Sequence, residues 1–146
     1  MWLAVRWQAV TVGGTGIKEV QMAVYGDWPT GTLDEMLSEV RRRLNVAWCE
    51  ETSAGGFTIV RPSIGQCAVT ALLVQDVAGG RLLRVMNGGV SHYFNEIGGR
   101  EVDLTRDQFP VWAPQGAVEE RSRGYLLLNE TTRTRYDLLV DRFSHT

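Results

Sequence analysis

The chain has 146 residues, 44% of them apolar and 22% charged, which is enough for one domain with a buried core. Its net charge of −2 and isoelectric point near 5.7 give no electrostatic basis for binding nucleic acid or an acidic membrane surface. No apolar run approaches the roughly 18–20 residues that span a bilayer, and Met1 to Trp7 lacks the basic start and unbroken apolar stretch of a signal peptide.

Residues 1–31 read as an N-terminal extension to a single domain over 32–146. Within the extension, 2–12 and 17–25 flank Gly13-Gly14-Thr15-Gly16 and alternate loosely, the pattern of a β-hairpin. Thr32 and Glu35 then have the spacing of a capping box, in which each side chain satisfies a free amide at a helix start. Leu33, Met36, Leu37, Val40 and Leu44 recur at helical spacing, predicting an amphipathic helix over 33–46. Arg41, Arg42 and Arg43 fall towards its C-terminal end, where the helix dipole favours cations.

Residues 49–65, rich in Ser, Thr, Gly and Pro, read as a loop. Gln66 to Ala78 is apolar on nearly every side and stops at Gly79-Gly80, which predicts a buried helix. Three strands follow, over 81–86, 90–97 and 100–104, joined by turns at Asn87-Gly88-Gly89 and Gly98-Gly99. Residues 105–118, with Pro110 and Pro114, read as irregular. Tyr125 to Leu128 forms a helical turn, and Asn129 caps a last helix that runs to Phe143 with Tyr136, Leu139, Val140 and Phe143 inward. Arg121, Arg123, Arg133, Arg135 and Arg142, interleaved with Glu130, Asp137 and Asp141, read as a solvated face. The class is α+β.

Two cysteines, Cys49 and Cys67, do not make a disulfide framework, so a reducing, cytoplasmic setting with free thiols is expected. A thiol attacks as the thiolate and needs a base. Cys67 follows Gly65-Gln66 where the buried helix leaves its loop, and unpaired amides at a helix start stabilise negative charge on a nucleophile or an oxyanion. His92 is the candidate base, since His145 stands next to the chain end, and Asp103 is the candidate orienting acid. If Gly98-Gly99 is a two-residue turn, Ile97 pairs with Arg100. Phe94 then faces Asp103, and His92 and Asp103 become diagonal neighbours on one face; an odd loop without a bulge separates them. Each residue also has a bland reading: an inert core thiol, a structural histidine, an aspartate serving a turn. Cys49 has no evident base and reads as structural or as pocket wall. Phe109 and Trp112 fit either an apolar pocket or the core. No zinc-ligand spacing, P-loop or dinucleotide fingerprint is present, so neither metal nor cofactor is expected.

Several runs resemble the YunG-like family of small bacterial proteins: Gly65-Gln66-Cys67-Ala68-Val69-Thr70-Ala71-Leu72, Val74-Gln75-Asp76, Ser91-His92-Tyr93-Phe94-Asn95, Val102-Asp103-Leu104-Thr105-Arg106 with Gln108-Phe109, Tyr125-Leu126-Leu127 and Arg135-Tyr136. The resemblance covers about 33–143, with Phe94 where the family pattern has Trp. More distantly, Gly65-x-Cys67-x-x-x-Ala71 followed by His and Asp on neighbouring strands looks like transglutaminase-like and papain-like thiol enzymes. That resemblance implies a helix bearing the nucleophile packed on an antiparallel sheet, with Cys67 as nucleophile, His92 as base and Asp103 as orienting acid. The separate upstream glutamine that completes the oxyanion site in those enzymes has no counterpart; Gln66 and Ser63 are the nearest candidates. Two functions follow as expectations. One is a thiol hydrolase or acyltransferase acting on an amide, ester or thioester of a small molecule or peptide. The other is a non-catalytic binding module on the same scaffold.

Overall fold

A computed structural model describes residues 31–146; the hairpin expected over 2–25 lies outside the described residues. The first helix among the described residues, α1 (Leu33–Ala47), begins at the capping box, with Thr32 Oγ1 accepting from the Glu35 amide at 3.3 Å and Glu35 Oε2 accepting from the Thr32 amide at 2.9 Å. Its inner face buries Leu37, Val40, Leu44 and Ala47, each large side chain there contributing roughly 1.5–3 kcal/mol. Of the arginines near its end, Arg42 pairs with Glu39 one turn back in the same helix, and the other two answer tertiary partners. Arg43 is buried, donates to the Phe143 carbonyl at 2.8 Å and lies over that ring, while Arg41 reaches Asp107 and the Leu104 carbonyl.

Helix α2 (Cys67–Ala78) is buried along almost its whole length and ends at Gly79, whose φ of +73° suits a residue without a Cβ. Three strands, β1 (Arg81–Asn87), β2 (Val90–Ile97) and β3 (Arg100–Val102), follow through two-residue turns. Asn87 pairs with Val90 and Ile97 with Arg100, so Gly88-Gly89 and Gly98-Gly99 are the turn centres, all with positive φ. The third strand is shorter than the stretch 100–104 read from the sequence, because the chain turns away after Val102.

The segment read as irregular over 105–118 is a correction. It contains a 3-10 turn (Arg106–Gln108) and most of a fourth strand, β4 (Pro114–Arg121), which pairs antiparallel with β1 through an irregular register. This strand is almost wholly exposed on both faces at the sheet edge, so it carries no apolar alternation to announce it. The sheet order is β3-β2-β1-β4.

The sheet has two different faces. Leu82, Tyr93, Asn95 and Val102 lie towards the helices, where the Asn95 amide donates to the Ala71 carbonyl of α2 at 2.9 Å. Leu83, Val85, His92 and Phe94 occupy the other face, with Trp112 packed against the apolar ones. Short helix α3 (Arg123–Leu127), capped by Ser122, leads into α4 (Glu130–Ser144), capped by Asn129, and the latter packs Leu139 and Phe143 into the core formed by α1 and α2.

The late arginines are likewise not one solvated face. Arg123 bridges Asp76 at 2.7 Å and the Leu72 carbonyl, and Tyr136 donates its hydroxyl to the same buried Asp76. Arg142 donates to the Ala47 carbonyl at 2.5 Å. These contacts lace α2, α3, α4 and the end of α1 together. The architecture is α+β: four helices and a four-stranded antiparallel sheet among the described residues.

Candidate active site

Cys67 is the first residue of α2. Its backbone is aimed there by Gly65, whose φ is +75° and whose missing Cβ would otherwise stand 2.3 Å from Ser53 Oγ and 2.5 Å from the Gly55 carbonyl. Gln66, the N-cap, makes no side-chain capping bond, so the amides of the first turn stay available to a ligand. Cys67 is half-buried and therefore reachable.

His92 is fully buried, and its Nε2 lies 2.7 Å from Asp103 Oδ2. The two residues share a face because the Gly98-Gly99 turn has an even length. Cys67 also interacts with the imidazole; with Nε2 engaged by Asp103, Nδ1 is the nitrogen left to face the thiol, and Gln108 Nε2 lies beside it. The Cys67–His92 interaction crosses from one side of the sheet to the other: α2 packs on the Asn95 face, whereas His92 lies on the opposite one. It is possible because β3 pairs only with Asn95–Ile97, so the length of β2 that carries His92 has an open edge beside the tip of α2.

Electrostatics follow from this packing. Burial pulls the His92 pKa down, but the hydrogen bonds and charges of Asp103 and Cys67 outweigh it and push the imidazole up to about 9. Burial pushes Asp103 up, and the His92 bond, the Arg106 guanidinium 2.8 Å away and the Thr105 amide reverse this and hold its carboxyl below the ordinary value of 3.8. His92 is accordingly an imidazolium at neutral pH, held by a carboxylate with several donors of its own.

The aromatic candidates surround the base. Phe109 and Trp112 meet His92 edge-on, with ring centroids 4.8 and 5.4 Å away, and Phe94 stacks at 6.0 Å. Arg106 covers the outer face of Trp112 at 3.6 Å. These rings exclude water from the His92–Asp103 pair and fix the plane of the imidazole.

Ser63 is buried, and Gln66 Nε2 donates one of its two N–H groups to the Cys49 carbonyl at 3.0 Å, while its Oε1 is buried without a hydrogen-bond partner. Cys49 is engaged in this loop framework, its amide donating to Thr52 Oγ1 at 3.0 Å.

Gln108 is the neighbour that sequence reasoning missed as a site residue. Its Nε2 lies 3.4 Å from His92 Nδ1 and 3.1 Å from Thr105 Oγ1, and its Oε1 accepts from the Gly65 amide at 3.3 Å. One side chain thus bridges the loop before Cys67 and Thr105, beside the imidazole. Its place beside Phe109 was visible in the sequence, but the 3-10 turn that aims it inward was not. Among the described residues, no three His, Cys, Asp or Glu side chains cluster closely enough to hold a metal ion, and no helix is long and apolar enough to cross a membrane.

Fold and site together define a class: an α+β domain with Cys67 at the start of a buried helix and a buried His92–Asp103 pair on the sheet. Comparison with known sequences places it further. The chain belongs to the YunG family, described as YunG protein, whose family model matches residues 36–146. It is similar to YunG of Bacillus subtilis (strain 168), described as an uncharacterized protein. The two are 32% identical over 111 residues, which cover 74% of this chain and 91% of the relative. No solved structure matches.

Proposed function

We propose that the protein is a cysteine-dependent hydrolase or acyltransferase with a papain- or transglutaminase-like core, acting on an amide, ester or thioester. The observation that supports this most is the alignment Cys67–His92–Asp103, with the imidazole charged, shielded by aromatic rings and anchored to a buried carboxylate.

In the proposed reaction the Cys67 thiolate attacks the carbonyl carbon, and the oxyanion forms against the free amides at the start of α2. The tetrahedral species collapses, the bond to the leaving group breaks, and His92 Nδ1–H supplies that group's proton. Neutral His92 then takes a proton from water or an amine as it attacks the thioester, and Cys67 departs as thiolate beside a restored imidazolium. Asp103 keeps Nε2–H oriented throughout and stabilises the cationic ring.

The test is intact-mass analysis after incubation with a panel of thioesters, activated esters and peptides, using Cys67→Ala as the control. The proposal expects an acyl adduct on Cys67 and loss of turnover in the folded variant. Turnover that survives Cys67→Ala would end it.

A further inference from the structure

A cavity of about 380 Å³ opens beside the helix face of the sheet, lined by Tyr93, Tyr125, Leu126, Leu128, Asn129 and Thr132. Tyr125 and Leu128 are exposed at its rim, whereas Leu126 and Thr132 are buried in its wall. The lining combines two aromatic rings and two leucines with an amide and a hydroxyl, suited to a small organic group with a polar end.

Arg135 backs this wall. Its Nη2 donates to Thr132 Oγ1 at 3.1 Å, while its Nε is buried with no hydrogen-bond partner. The other interior arginines answer a carboxylate, a backbone carbonyl or both, as Arg123 does with Asp76 and Arg43 with the Phe143 carbonyl. The hydrogen bond of Arg135 goes to a neutral hydroxyl, and no Asp or Glu among the described residues forms a salt bridge with it; the Cys67 thiol, when ionised, is the anionic group that reaches it. A half-buried guanidinium is stable in that position when an anion shares the site for part of the working cycle. Arg135 and Tyr93, one behind the cavity and the other in its lining, both lie within electrostatic reach of Cys67.

We infer that this cavity is the substrate subsite and that Arg135 selects acyl substrates carrying a carboxylate, seated on the guanidinium beside Thr132 while the scissile carbonyl meets Cys67. The inference rests on the thiol-enzyme reading and adds the substrate class to it. It also gives the cavity's mixed lining a purpose: the rings hold the organic body, and the cation holds its charged end.

Iodoacetate and iodoacetamide test it, being nearly equal in size and different in charge. Both alkylate Cys67 by displacing iodide, and a Cys49→Ser background confines the reaction to one thiol. The ratio of the iodoacetate rate to the iodoacetamide rate should exceed that of a free thiol. It should fall about fivefold in Arg135→Gln, the scale of one partly screened charge pair, and recover in Arg135→Lys. Thermal melts of both variants identify any that fail to fold. Protection supplies a readout that needs no variant: butyrate should slow alkylation by iodoacetamide, and butyramide at the same concentration should not. An unchanged ratio in folded Arg135→Gln, or equal protection by the two compounds, overturns the carboxylate assignment while Cys67 remains reactive. If Cys67 instead reacts with iodoacetamide no faster than a free thiol, the thiol-enzyme reading itself has failed.

Discussion

Replacing Asp103 by Asn removes one charge and keeps nearly the same shape, so it isolates what the carboxylate does. In the native site His92 is pushed from its ordinary 6.5 up to about 9, an interval worth about 3 kcal/mol in favour of the imidazolium. Burial opposes that preference, and the Asp103 hydrogen bond at 2.7 Å is the foremost contribution that overcomes it. With Asn at 103, burial is opposed by Cys67 alone, and His92 should titrate near or below 6.5. The assay is an NMR titration of the imidazole Cε1–H signals from about pH 5 to about 10, the range that brackets both values. The chain has two histidines, and the signal of the exposed His145 is assigned by its own substitution. Alkylation of Cys67 by iodoacetamide at neutral pH should slow at least about tenfold in the same variant, because the neighbouring ring has lost its charge. A native His92 that titrates near 6.5, or an Asp103→Asn protein in which it still titrates near 9, would refute the reasoning.

The same pair makes stability depend on pH. His92 gains affinity for its proton on folding, so its contribution is complete below 6.5 and is lost as pH rises through about 9. Urea midpoints of the native protein should fall across that window, and those of Asp103→Asn should stay nearly flat. Asp103, held below 3.8, governs the acid side, where its contribution disappears as pH drops through its lowered folded value. Gly65→Ala should cost at least about 2 kcal/mol in denaturant unfolding, because its Cβ would meet backbone at 2.5 Å in a left-handed conformation. The alkylation rate of Cys67 should drop with it. Tyr136→Phe takes a hydroxyl from buried Asp76 and should cost about 1–3 kcal/mol, yet leave alkylation of Cys67 unchanged.

Helices α1, α2 and α4 were legible because each carries a cap or a stop in its own residues: Thr32 with Glu35, Gly79, Asn129. The register of β2 and β3 was legible for the same reason, since Gly98-Gly99 fixes which residues share a face before any packing is known. Strand β4 was not legible. Its only strong determinant is pairing with β1 at an open edge, and Pro114 and Gly116 mimic a loop. The roles of Arg43, Arg123 and Arg142 were hidden too. Their partners are carbonyls and side chains of helices distant in the chain, and charge alternation along a sequence cannot distinguish these from solvent. Gln108 was hidden by the unforeseen 3-10 turn.

Two buried ionic groups invite comparison. Asp76 with Tyr136 and Arg123 ties α2, α3 and α4 together. The His92–Asp103 pair joins neighbouring parts of a sheet that the Gly98-Gly99 turn already holds in register. A well-packed apolar pair there would avoid the several kcal/mol that desolvating two ions costs. Aromatic rings shield the ions, and Arg106 and Thr105 hold Asp103 with hydrogen bonds of their own, a costly arrangement for structure alone. That contrast supports the chemical reading of His92 and Asp103, and the two substitutions separate it experimentally. Tyr136→Phe should change stability without changing thiol reactivity, whereas Asp103→Asn should change the charge of His92 and the reactivity of Cys67 together.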